Sequence, residues 1–175
     1  MKKVAFLGLG AMGSRMAKRL LDSGAVSLSV WNRSPDAANA FATLGARVAD
    51  TPASAASDAD VVISMVTDDY AARNVWLAES GGALAAMKAG SIAIESSTVS
   101  PEWIQELHAS TIVRNIHVID APVAGSRPQA EAGQLIFMLG GDERAIESVH
   151  DVLAPMASAV HVVGDVGKGA TLKLA

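Results

Sequence analysis

The sequence predicts an α/β fold, a doubly wound parallel sheet, and three observations predict it. Short apolar runs alternate with polar-faced stretches from residue 4 to about residue 120, the pattern of strand–helix–strand units with right-handed crossovers. One run, Val61 to Val66, is almost continuously apolar, as a strand covered on both faces requires. The first run ends directly in a glycine cluster, Gly8-Leu9-Gly10-Ala11-Met12-Gly13, from which a helical stretch departs.

Each element has its own reason. Val4 to Leu7 is a short buried-strand run ended by Gly8. Met12 to Leu21 reads as a helix, because Met12, Met16 and Leu20 repeat every four residues while Arg15, Lys18, Arg19 and Asp22 supply a polar side. Ser23-Gly24 stops it. Val26 to Trp31 is the second strand, and Pro35 suits the first turn of a helix over 36–44 that Gly45 closes. Arg47-Val48 is a minimal strand, and Thr51-Pro52 opens a short helix to about Ser57. After the Val61–Val66 strand, Asp68 or Asp69 can cap a helix toward Leu77. Ser91 to Ile94 is a fifth strand, Ser100-Pro101-Glu102 opens another helix, and Ile116 to Ile119 is a sixth strand. An additional αβ segment follows: a strand over 134–139, a helix over 143–153 and a strand over 160–163. A Gly-rich turn over 164–169 then leads into the first turn of a helix at Ala170.

Composition bounds the function. Half of the 175 residues are hydrophobic and the mean hydropathy is +0.30, so a sizeable core can form. Alanine supplies 33 residues and the aromatics only 7, so that core is small and aliphatic and suits close helix–sheet packing. A net charge of −4 and a pI near 5.5 leave no electrostatic footprint for nucleic acid or an anionic membrane. Absence of cysteine excludes disulfides, thiolate metal sites and a cysteine nucleophile. The basic start and apolar run imitate a signal peptide, but Arg15, Lys18 and Arg19 cut the run short, so a cytoplasmic protein is expected.

The glycine cluster is a G-x-G-x-x-G with a strand before it and a helix after it. That is the context in which the pattern binds a dinucleotide. Gly8 permits the tight turn, Gly10 lets the backbone approach a pyrophosphate, and Gly13 lets the helix pack on the strand. The helix N-terminus offers N–H groups and a positive dipole end to the phosphates. A turn with no ligand is the alternative. At the end of the second strand, where an NAD-binding domain places a carboxylate, stand Asn32, Arg33 and Ser34. Arg33 can pair with a ribose phosphate, with Asn32 and Ser34 donating hydrogen bonds, so NADP is expected over NAD. An ordinary surface arginine is the alternative.

In these and further segments the sequence resembles the β-hydroxyacid dehydrogenase family, related to 6-phosphogluconate dehydrogenase. The resemblance rests on Gly8 to Gly13 with Met16-Ala17 and Leu20, on Ser96-Ser97-Thr98 with Pro101, on Asp120-Ala121-Pro122-Val123-Ala124-Gly125-Ser126 with Ala130 and Gly133, and on Gly167-Lys168-Gly169-Ala170-Thr171-Leu172-Lys173. It implies a Rossmann-like domain over 1–163 and the start of an interdomain helix over 164–175. It implies that Gly8, Leu9, Gly10, Ala11, Met12 and Gly13 bind the dinucleotide phosphates, and that Met65 and Val66 lie along the cofactor. Thr98 would sit beside the nicotinamide, and Val123, Ala124, Gly125 and Ser126 would form the substrate-carboxylate loop. Lys173 matches the family's catalytic lysine. Where the family has Ser-Gly-Gly this chain has Ala124-Gly125-Ser126. A hydroxyl contact at 124 is therefore lost, and Ser126 is a candidate to replace it. The sequence ends at Ala175, so the family's C-terminal helical domain is absent from it.

No metal site is expected, since no paired histidines at metal spacing and no H-E-x-x-H occur; G-x-S-x-G is also missing. His108, His117, His150 and His161 adjoin no glycine loop and read as surface or strand-edge residues. Lys173 lies four residues after Gly169, near a helix start, where burial and the helix dipole would make its amine a proton carrier. The expected function is an NADP-dependent oxidoreductase acting on a small carboxylate-bearing substrate: a 3-hydroxy acid, semialdehyde or keto acid. A homo-oligomer is expected for its full-length form. Imine reduction and non-catalytic NADP binding are the alternatives. The 175-residue chain itself is expected to bind NADP, to be inactive, and to have a frayed final helix.

Overall fold

The computed structural model describes residues 1–175. Nine strands form one sheet: β1 (Lys2–Leu7), β2 (Val26–Trp31), β3 (Arg47–Val48), β4 (Val61–Ser64), β5 (Ile92–Glu95), β6 (His117–Asp120), β7 (Val123–Ala124), β8 (Leu135–Gly140) and β9 (Ala157–Gly164). The helices are α1 (Ala11–Ser23), α2 (Pro35–Ala42), α3 (Pro52–Ala56), α4 (Asp69–Leu77), α5 (Pro101–Ile112), α6 (Arg127–Ala132), α7 (Glu143–Ser148), α8 (His150–Leu153) and α9 (Lys168–Leu174). Strands β3-β2-β1-β4-β5-β6 lie in that order and all pair in parallel. This is the expected doubly wound half. Beyond β6 the sheet is mixed. β6 and then β7 run antiparallel along β8, while β9 joins the other side of β8 in parallel after the α7–α8 crossover.

The apolar runs are explained by a core on each face. Val4 and Phe6 of β1 point into one core with Met16, Leu20, Ile63, Ile94 and Phe137. Ala5 and Leu7 point into the other with Trp76, Trp103, Ile104 and Val118. Buried alanines such as Ala55, Ala56, Ala72 and Ala93 let the second layer of helices lie close to the strands. Helix starts follow side-chain capping: Thr51, Asp68, Ser100 and Asp142 each accept a first-turn N–H. Gly24, at φ 66°, closes α1 in the left-handed conformation.

Four details depart from the sequence reading. The strand expected to reach Val66 ends at Ser64: Met65 N still donates to Leu7 O of β1, but Val66 N turns to Ser97 Oγ. The helix expected over 143–153 breaks at Val149 into α7 and α8. The β7–α6 segment, two strand residues followed by Ser126, Arg127 and Pro128, is too short to leave a periodic signal. The final helix is formed through Leu174 rather than frayed. No helix is long and apolar enough to cross a membrane.

Candidate functional site

Strand order reverses between β1 and β4, and the carboxyl ends of these strands open a crevice there. The glycine loop occupies it. Gly8 has φ +100°, and a Cβ on it would lie 2.3 Å from Met65 O. A Cβ on Gly13 would lie 2.1 Å from Gly8 O. Both are therefore glycine because the loop, β4 and α1 are in backbone contact. Gly10 is different: its α-carbon faces open space, with nothing within 4 Å of a Cβ there. Helix α1 also has no side-chain cap and no acidic residue in its first turn. Its N–H donors at Ala11, Met12 and Gly13 thus face an open approach uncapped, which fits a pyrophosphate.

At the end of β2, Asn32 does internal work. Its Oδ1 accepts from Leu9 N at 2.8 Å and its Nδ2 donates to Ser34 O at 3.0 Å. The side chain read as a phosphate donor is thus chiefly a strut holding the glycine loop against β2. Arg33 and Ser34 are exposed, and Arg33 has no hydrogen bond or ion pair within the chain.

Met65 and Val66, both half-buried, lie directly after β4. Val66 N donates to Ser97 Oγ at 2.8 Å, tying this segment to the turn after β5 that carries the exposed Thr98. Beneath that turn lies a group sequence reasoning missed. Glu95 is fully buried and accepts from Ser97 N at 3.0 Å, Trp76 Nε1 at 2.8 Å and Trp103 Nε1 at 3.4 Å. Burial pushes its pKa above the usual carboxylate range, and these donors only partly oppose that. The available signal was a glutamate closing the apolar run Ile92-Ala93-Ile94.

The second half of the site comes from β6, β7 and α9. Lys173 Nζ donates to Val123 O at 2.8 Å, bringing the candidate lysine onto the first residue of the 123–126 loop. Gly125 has φ +126°, and a Cβ there would lie 2.9 Å from Leu135 Cδ2. Ser126 N and Oγ both donate to Gln129 Oε1, at 2.9 and 2.7 Å, so this hydroxyl's proton is committed within α6. Ala124 is half-buried and brings no polar side chain. Lys173 lies past the first turn of α9, which starts at Lys168. The helix N-terminus therefore acts on Asp120, whose buried carboxylate accepts from Gly167 N at 2.7 Å and Ala170 N at 2.8 Å. Burial raises the Asp120 pKa and these N–H groups hold it back.

The histidines stay outside this assembly. His117 starts β6 at the opposite end of the sheet, beside an open depression of about 550 Å³ lined by Ile92, Asp142 and Arg144, to which no candidate residue contributes. His150 and His161 are exposed on α8 and β9, and His108 is half-buried on α5.

Comparison with known proteins agrees with this fold. The family described as the NAD binding domain of 6-phosphogluconate dehydrogenase matches residues 3–164. The NAD-dependent L-serine dehydrogenase of Pseudomonas aeruginosa is 35% identical over 174 residues, 99% of this chain and 58% of that protein. The solved structure of Mycobacterium tuberculosis 3-hydroxyisobutyrate dehydrogenase with L-serine is similar at a TM-score of 0.92 and 34% identity, covering 99% of this chain and 58% of that one. The imine reductase of Myxococcus stipitatus in complex with NADP+ is similar at a TM-score of 0.87 and 25% identity, covering 99% and 59%. The chain thus spans well under two thirds of the length of these relatives.

Proposed function

The chain belongs to the β-hydroxyacid dehydrogenase family, as its N-terminal NAD-binding domain, and on that premise we propose that it serves an NADP-dependent oxidoreductase of small hydroxy acids. The reaction moves a hydride between nicotinamide and the carbinol carbon of a 3-hydroxy acid, or the carbonyl carbon of the matching semialdehyde or keto acid; the cofactor supplies that hydride chemistry.

The chain's own residues bind, orient and move a proton. The first-turn N–H groups of α1 hold the pyrophosphate that Gly10 leaves room for. Arg33, unpaired at the end of β2, takes the ribose phosphate and favours NADP over NAD. Met65 and Val66 lie along the dinucleotide, with Thr98 beside its nicotinamide. The loop at 123–126 receives the substrate carboxylate. Lys173 gives a proton to the carbonyl oxygen or takes one from the alcohol. Residues 1–163 form the nucleotide-binding domain, 164–175 begin the interdomain helix, and the whole protein works in the cytoplasm as a homo-oligomer.

The observation that carries this reading is the 2.8 Å contact of Lys173 Nζ with Val123 O, because it puts an amine at the loop assigned to the substrate carboxylate. The test is steady-state turnover of the catalytically competent protein with glyoxylate, succinic semialdehyde, L-serine and a cyclic imine. Turnover of one or more of the acids, abolished in Lys173→Ala, is the expected result. Reduction of the imine alone would replace this reading with imine reduction. NADPH binding with no turnover of any of the four would replace it with a non-catalytic module.

A further inference from the structure

Asp120 is the last residue of β6 and is fully buried. It has no cationic partner, and its carboxylate is turned to the start of α9, where it accepts from Gly167 N and Ala170 N. Room for it is made by two glycines. A Cβ on Gly140 would lie 2.5 Å from Asp120 Oδ1, and one on Gly169 would lie 2.9 Å from Oδ2 and 2.3 Å from Met138 O. Three residues after Asp120, Val123 O accepts from Lys173 Nζ, further along the same helix. α9 is therefore clamped at two points on one continuous segment of chain.

We infer that Asp120 is the positioning residue for Lys173: its carboxylate supplies the acceptors for the first N–H groups of α9 and so decides where the lysine amine arrives. This inference rests on the reading of Lys173 as the proton-transferring group. An ionised carboxylate suits the place because every group facing it from α9 is an N–H donor. Asparagine would keep the size but aim an NH₂ at one of those donors.

The test has a structural and a kinetic part. Amide exchange by NMR is followed at Gly167 and Ala170, and the Lys173 amine is observed after reductive methylation with isotope-labelled formaldehyde. In the unmutated protein the two amides should be protected by about 100-fold or more over unstructured peptide. Asp120→Asn should lower that protection by about tenfold or more and shift the Lys173 methyl resonance toward that of exposed lysines, with NADPH affinity held within about twofold. Gly140→Ala, which presses a methyl on Oδ1, should act in the same direction. If Asp120→Asn fails to fold, the unmutated protein decides: unprotected Gly167 and Ala170 amides would overturn the inference. Folded variants with an unchanged Lys173 resonance would overturn it as well. In turnover assays, an inactive Lys173→Ala beside a fully active Asp120→Asn refutes the positioning role and leaves the function standing. A fully active Lys173→Ala refutes the function, whatever the amides do.

Discussion

Glu95 and Asp120 stand in register on adjacent parallel strands, both fully buried and on the same face of the sheet. The two carboxylates are divided between the two halves of the site. Glu95 is turned to the indoles of Trp76 and Trp103 and to the turn carrying Thr98; Asp120 is turned to the helix carrying Lys173. Neither has a basic side chain within ion-pairing distance, so backbone N–H groups, indole N–H groups and the Ser97 hydroxyl oppose the cost of burying charge.

That cost gives a pH dependence with a definite sign. Glu95 has a raised native pKa, so between the unfolded value, about 4.3, and the raised value the native state holds the extra proton. Stability from this group is present below the unfolded pKa and is lost as pH rises through the native one. Each unit of elevation corresponds to about 1.4 kcal/mol. Denaturant unfolding of the unmutated protein and Glu95→Gln, compared from acid to mildly alkaline pH, should show the difference moving steadily against the unmutated protein. A pH-independent difference would mean that Glu95 does not titrate in this range.

The glycine loop separates folding from binding. Gly13→Ala puts a methyl 2.1 Å from Gly8 O and should cost at least about 1–3 kcal/mol, with dinucleotide binding lost as α1 shifts. Gly10→Ala meets nothing within 4 Å, and its φ of −70° suits alanine. Its melting temperature should stay within about 2 °C of the unmutated value while NADPH affinity falls by about tenfold or more. Calorimetry and dinucleotide titration on the same two samples check both halves.

Arg33→Ala should lower NADP affinity by roughly 10- to 100-fold, the worth of one charge-assisted contact, and leave NAD affinity nearly unchanged. Coincident NADP and NAD titration curves on the unmutated protein would remove the basis for the cofactor preference.

Lys173→Ala should cut turnover of the best acid or aldehyde by roughly 100-fold or more, with NADPH affinity preserved. An intact rate would make Lys173 a structural tether on Val123 O and nothing more.

The sequence by itself determined the parallel half of the sheet, the glycine loop and the helix starts. These depend on local chemistry: apolar runs such as Ala5-Phe6-Leu7 and Val61-Val62-Ile63, Gly8 and Gly13 at a strand–helix junction, and caps such as Asp68 and Ser100. Local pattern also placed Lys173 after its glycines, about one turn inside its helix. The tertiary structure decided what depends on groups far apart in the chain. Asn32, within reach of Leu9 only once β2 lies beside β1, became a strut. The two-residue β7 was too short to show a period, and the antiparallel pairing of β8, read as a strand over 134–139, came only from packing. Asp120 and Val123 meet α9 across about 50 residues of sequence, and Glu95 finds Trp76 and Trp103 from two different helices. A buried carboxylate needs donors, and which donors reach it is a property of packing that no local pattern records.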